Sequence, residues 1–181
     1  YHSIDDVYDY SARVAGAVGV MMSVLMGVRD PKTLARAADL GTAMQLTNIA
    51  RDVGEDARLG RIYLPLDELT AEGVNPEALL TAPQFSEGIG VVTKRLLERA
   101  QWLYHRADNG IAQLPRKYQP GIRAARKLYA AIGEKVGEIG YNYGKGGCEL
   151  KDGTIVIGGS KSVVNATARK AGFPYVEVRA I

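Results

Sequence analysis

Asp39–Pro65, DLGTAMQLTNIARDVGEDARLGRIYLP, is the stretch on which the reading of this chain turns. Gln45, Asn48, Asp52 and Asp56 recur within it at steps of three or four. A helix turns about 100° per residue, so each four-residue step drifts only about 40°. Asn48, Asp52 and Asp56 therefore share one polar stripe, with Gln45 at its border. An amide oxygen and two carboxylates are hard ligands, the kind Mg²⁺ takes when it keeps several waters and shares its other positions with phosphates. The same spacing also suits a solvated face on which Arg51, Glu55 and Arg58 pair with the carboxylates.

Outward from that stretch the pattern stays helical. Asp30-Pro31 is a cap followed by a first helical residue, which starts the helix carrying the stripe at about Lys32 and runs it to about Ala57. Gly54 and Gly60 are expected to loosen its end. Upstream, Ser3 caps a helix over about Ile4–Gly27, with Asp5 and Asp6 in its first turn. Val7, Tyr10, Val14, Val18, Met21 and Leu25 are spaced as a packed face, and Val14–Val28 reads as a buried helix rather than a membrane span. Gly16 and Gly19 each cost about 1 kcal/mol against Ala inside a helix, so close approach by a second helix or a ligand is expected there.

Downstream, Leu66–Phe85 is turn-rich, with Asn75 capping a short helix at Pro76. Helices continue over about Ser86–Gly110 and Gln119–Ile139. Trp102 and His105 lie near the apolar face of the first, where a structural histidine is the expectation. Arg116, Lys117, Arg123, Arg126 and Lys127 cluster around the second. They suit contact with an anionic membrane surface or a plain solvated face. After Tyr141 the chain turns Gly-rich and strand-prone. Lys151-Asp152-Gly153-Thr154 signals a hairpin between Cys148–Leu150 and Ile155–Ile157. A short helix over Val163–Ala171 and a strand over Tyr175–Val178 are expected beyond it. Gly158–Lys161 reads as a flexible turn rather than a phosphate loop.

Composition excludes several classes. A net charge of +3 over 181 residues gives no ground for nucleic-acid binding. One cysteine, Cys148, rules out an internal disulfide and suits a reducing compartment. No apolar run reaches the roughly 18–20 residues of a membrane span. The chain opens on Tyr1 and reads as a piece of something longer.

Residue identity then adds what spacing cannot. Gln45, Thr47, Asn48, Arg51, Asp52, Glu55 and Asp56, followed by Arg61, Tyr63, Leu64 and Pro65, resemble the second aspartate-rich motif of the squalene and phytoene synthase family. YDYSARVAGAVGVMM is similar to that family's Y-x-x-x-VAG-x-VG segment, and AARKLYAAIGEKV to its penultimate helix. The resemblance covers about Tyr1–Gly140 and is closest to bacterial phytoene synthases.

It implies a mainly α fold: part of an isoprenoid-synthase-type helical bundle over residues 1–140. Residues 141–181 would form a short α/β-like tail outside the family, its origin open. It implies a Mg²⁺-dependent prenyltransferase, with Mn²⁺ as an alternative metal and no reductant. Two geranylgeranyl diphosphates would join head to head to phytoene through a cyclopropyl diphosphate, in carotenoid biosynthesis. Metal ligands would be Asn48, Asp52 and Asp56. Tyr10, Asp52 and Asp56 would be catalytic, and Gln45, Arg51, Arg61 and Tyr63 would bind substrate. The protein would be cytoplasmic, with peripheral membrane contact as a further expectation.

Asp5, Asp6 and Asp9 are not expected to replace the family's first motif, a D-x-x-x-D on an earlier helix, because they sit immediately before the tyrosine segment, where the family has ordinary helix-entry residues. Little or no synthase activity is therefore expected of this piece alone. Squalene, dehydrosqualene or hydroxysqualene formation stays open, as does a non-catalytic helical interaction module.

Overall fold

The computed structural model describes residues 1–138, 140–141, 149–151 and 154–156. The architecture is mainly helical. Helix α1 (Ile4–Ser11) passes through one π-helical stretch, Ala12–Gly16, into α2 (Ala17–Leu25). Long α3 (Pro31–Arg58) comes next, then short α4 (Leu66–Ala71) and α5 (Pro76–Thr81), and long α6 (Glu87–Ile111) and α7 (Gln119–Glu138). Strands β1 (Glu149–Lys151) and β2 (Thr154–Val156) pair antiparallel, Leu150 opposite Ile155. They form the expected hairpin. The helix expected over 163–171, the strand over 175–178 and the turn at 158–161 lie outside the described residues.

Four helix starts are written in the local sequence. Ser3 accepts from the Asp6 N–H while Asp6 accepts in return, a capping box. Asp30, Asn75 and Ser86 cap α3, α5 and α6 through side-chain oxygens. Asp6 is thus spent on a helix terminus, and Asp9 pairs with Arg13 at 2.8 Å on the surface. Neither stands in for a missing acidic motif.

The core lies between α3 and α6, with α2 and α7 packed against α3. Leu46, Ile49, Leu96 and Leu103 are buried there with Tyr104, whose hydroxyl meets Thr47 Oγ1 at 2.9 Å. That bond satisfies a phenol that would otherwise be stranded in an apolar interior. Buried Asp39 is held by Arg36 at 3.0 Å and Arg106 at 3.1 Å.

The expected long first helix is present as one helical run from Ile4 to Leu25, with a π-helical turn inside it where the Ala17 N–H bonds the Ala12 carbonyl. Two expectations need correcting. Gly54 does not loosen α3; it is buried inside it, and the helix runs to Arg58 before Gly60, at φ +75°, turns the chain. The apolar face of α2 is not buried. Met21 is 57% and Leu25 79% exposed, and Val14 and Val18 are nearly half exposed. The face turned to α3 carries Gly16 and Ser23 instead, both buried. A methyl on Gly19 would strike the Ala37 carbonyl oxygen, and one on Gly41 that of Ala15. Backbones this close leave no room for bulky residues, so the small ones are inside.

Candidate active site

Helix α3 carries the polar stripe. Its lower end is anchored by buried Ile49, Ala50 and Val53 on one side, which leaves Asn48, Asp52 and Asp56 half-buried on the other. Asn48 donates to Gln45 Oε1 at 3.5 Å, but its own Oδ1 is buried without a hydrogen-bond partner. An orphaned carbonyl oxygen costs about 1–3 kcal/mol, and a cation is one way to repay it. Asp52 is gripped by its neighbour: Arg51 Nε and NH2 each reach one carboxylate oxygen at 2.6 Å. A bidentate guanidinium is the strongest side-chain partner a carboxylate finds without a metal.

Asp56 completes the stripe. Burial first, then the charges of Asp52 and Glu55, push its carboxyl up to about 6, against the pull of Arg61 and Arg51. The donor set of one amide oxygen and two carboxylates fits a hard divalent cation with an orphaned oxygen ready for it. Among the described residues no three His, Cys, Asp or Glu side chains come together as a metal cluster. The stripe therefore supplies only part of a coordination sphere.

The turn after α3 brings the next residues back. The Arg61 N–H bonds the Asp56 carbonyl at 2.8 Å, fixing where Arg61 leaves the helix. Arg61 is exposed and its charge is felt at Asp56. Tyr63 stacks on Tyr10 with ring centres 5.5 Å apart. Burial raises the Tyr10 hydroxyl above the usual phenol range, helped by its hydrogen bond with Tyr63 and by Tyr1 and Asp56 nearby. Tyr10 stays protonated at neutral pH.

Tyr1 is the residue sequence reasoning missed. Its ring lies 5.0 Å from Tyr10 and 6.0 Å from Tyr63, completing an aromatic trio. The trio forms because the Leu66 N–H bonds the Tyr1 carbonyl at 3.2 Å and the Asp67 N–H that of His2 at 3.0 Å. Nothing local in the sequence signals that pairing.

Beside the stripe opens an apolar cavity of about 390 Å³. Leu40 and Met44 of α3, Val18 and Met22 of α2, and Ile122 of α7 line it, with Gln45 and Asn48 polar at the stripe end and Ser23, Thr33 and Arg36 polar elsewhere on the lining. Tyr129 of α7 also lines it. Of the expected site residues, the structure gathers Asn48, Arg51, Asp52, Asp56, Arg61, Tyr63 and Tyr10 around one end of α3, and puts Gln45 at the cavity. His105 and Trp102 stand apart on the exposed face of α6.

The squalene/phytoene synthase family model matches residues 1–153. The chain belongs to this family. The match runs past residue 140, where the sequence pattern changes character, and takes in β1. A phytoene synthase of Rhodobacter capsulatus is 58% identical over 142 residues, 78% of this chain and 42% of that protein. A second, from Cereibacter sphaeroides, is 57% identical over 78% of this chain and 40% of its own length. A dehydrosqualene synthase crystallised with a ligand superposes with a TM-score of 0.75 at 26% identity, over 94% of this chain and 57% of that one. The chain thus spans less than half the length of the curated relatives it matches.

Proposed function

We propose that these residues form the second metal-binding helix and part of the prenyl cavity of a Mg²⁺-dependent prenyltransferase. The reaction is the head-to-head joining of two geranylgeranyl diphosphates to phytoene through a cyclopropyl diphosphate. The observation that carries the reading is the junction at Asn48. There an apolar cavity meets a stripe of oxygen ligands, one of them an unpartnered buried oxygen.

Asn48, Asp52 and Asp56 would hold the metal, which supplies charge neutralisation to a departing diphosphate. Arg51 would then turn from Asp52 to a diphosphate oxygen, and Arg61 would reach the same region from the turn after α3. Both act as fixed positive charge where negative charge develops. Gln45 orients an oxygen of the same group. The cavity walls exclude water from the allylic cation left behind. Tyr10, held protonated, offers a π-face and a hydroxyl to that cation and to proton movements beside it. No reductant enters this scheme. Squalene, dehydrosqualene or hydroxysqualene formation is the second reading, supported by the likeness to the dehydrosqualene synthase structure.

Among the described residues no helix is long and apolar enough to cross a membrane. Peripheral contact through exposed Arg116, Lys117, Arg123 and Lys127 of α7 and its approach remains part of the proposal.

Titration of a nonreactive geranylgeranyl thiodiphosphate into this chain, with and without Mg²⁺, tests the reading by calorimetry. Metal-dependent binding is expected, weakened about a hundredfold or more in Asp52→Ala, as for loss of a charged ligand. Turnover is expected only when the N-terminal part of the Rhodobacter capsulatus enzyme precedes Tyr1. A folded chimera that neither binds the analogue nor makes product would leave a non-catalytic helical module as the better account.

A further inference from the structure

Arg51 and Asp52 are neighbours in sequence, and neighbours on a helix point about 100° apart. Their side chains meet all the same. Arg51 Nε and Nη2 lie 2.6 Å from Asp52 Oδ1 and Oδ2, and both side chains are less than a quarter exposed. The guanidinium therefore folds back along α3 to reach the carboxylate. Its charge also pulls the Asp56 carboxyl down, against the push of Asp52. One side-chain cation thus serves both carboxylates of the stripe.

Elsewhere, ion pairs fasten the bundle. Arg106 of α6 reaches Asp39 of α3 at 3.1 Å, and Arg126 of α7 grips Asp108 of α6 at 3.0 and 2.9 Å. The Arg51–Asp52 pair lies within α3. Opening it swings a flexible stem and leaves the helix backbone where it is. The fork covers both Asp52 oxygens on their shared side, so a cation that wants those oxygens has to displace it. One turn earlier, Asn48 Oδ1 is buried without a hydrogen-bond partner. The stripe thus offers one oxygen unengaged and one carboxylate already engaged by a positive charge.

We propose that Arg51 is a latch on Asp52 that couples the binding of a divalent cation to the binding of a diphosphate. Without ligands it closes over Asp52. As a divalent cation takes Asp52, like charges drive the guanidinium off. The planar fork that matched a carboxylate then matches two diphosphate oxygens. The diphosphate in turn holds the fork away from Asp52. Each ligand raises the affinity for the other by the same factor. The inference rests on the prenyl-diphosphate reading of the same site, and deepens it.

Two titrations without turnover test the latch. Mn²⁺ alone is titrated into the chain, with the free ion followed by electron paramagnetic resonance. The geranylgeranyl thiodiphosphate is then titrated by calorimetry at saturating Mn²⁺. Arg51→Gln is expected to bind Mn²⁺ alone about tenfold more tightly than the unaltered chain, and the analogue about tenfold more weakly. A damaged fold would weaken both, so the opposite signs are diagnostic. Arg51→Lys keeps the charge and loses the fork. It is expected to bind Mn²⁺ alone at least about threefold more tightly than the unaltered chain, and it decides the question if Arg51→Gln does not fold. Mn²⁺ affinity in Arg51→Lys equal to that of the unaltered chain would show that bare charge acts at Asp52, and would overturn the latch. A folded Arg51→Gln with unchanged or weaker Mn²⁺ affinity would overturn it too, as would tighter Mn²⁺ with unchanged analogue binding. All three outcomes leave the prenyl-diphosphate reading standing. An unaltered chain that binds neither Mn²⁺ nor the analogue would remove both.

Discussion

Asp56 carries a charge that its surroundings resist. Its carboxyl is raised to about 6 by burial, Asp52 and Glu55, whereas an unfolded aspartate titrates near its ordinary value of about 4. Between those two values the folded chain binds the extra proton, so stability falls as pH rises through the window. Above about 6 the whole cost is present; below about 4 it is gone. Asp56→Asn removes the charge. In the metal-free chain its melting temperature is expected to exceed the parent's by a few degrees above pH 7, with the difference about halved at pH 5 and closing as pH approaches 4. A gain of equal size at both pH values would show that the charge is not the cause. Asn48 belongs to the same class, a buried oxygen left unpaired. Sites that meet ligands in proteins characteristically lower the stability of the chain that carries them. Spacing alone showed that these residues share a face. It could not show that one oxygen is orphaned or one carboxyl raised, because both depend on what packs around α3.

At the scale of elements, the crossing of α2 over α3 decides the shape of the cavity wall. Gly41 lies in the middle of α3, where helix propensity alone makes Ala better by about 1 kcal/mol. A methyl there would strike the Ala15 carbonyl oxygen and crowd the Gly16 Cα. Both are backbone atoms and cannot rotate away. Forced overpacking costs about 1–3 kcal/mol and outweighs the propensity gain. Gly41→Ala is therefore expected to lower the urea midpoint, and a stabilised variant would show that the helices are not in contact there. The sequence announced this crossing through Gly16 and Gly19, because a helix tolerates glycine only for a reason. It did not announce the π-helical stretch between Ala12 and Gly16. A single i→i+5 turn uses the same residue types as an α-helix and leaves no period of its own. The caps at Ser3, Asp30, Asn75 and Ser86 were legible because each is a local hydrogen bond.

Over the whole molecule, apolar burial is uneven. The helical bundle was legible from its periods, and the site from a long run of specific residues. The outer face of α2 was not, since an apolar stripe shows that a helix has a preferred face and says nothing of what covers it. In this chain that face lies open: Val18, Met21 and Leu25 are each at least 47% exposed. The hydrophobic effect acts only on surface removed from water, so these side chains add little to stability as they stand. The single substitutions Met21→Lys and Leu25→Gln are each expected to move the unfolding free energy by less than about 0.5 kcal/mol. Leu46→Ala, in the fully buried α3–α6 core, is expected to cost about 2–5 kcal/mol. Urea unfolding of the three variants compares them directly. If the α2 substitutions cost as much as the core one, that face is covered in solution and α2 is held from both sides. If they are silent, the described helices are held together chiefly by α3 and α6, and among the described residues α2 is held chiefly by its glycine-lined contact with α3.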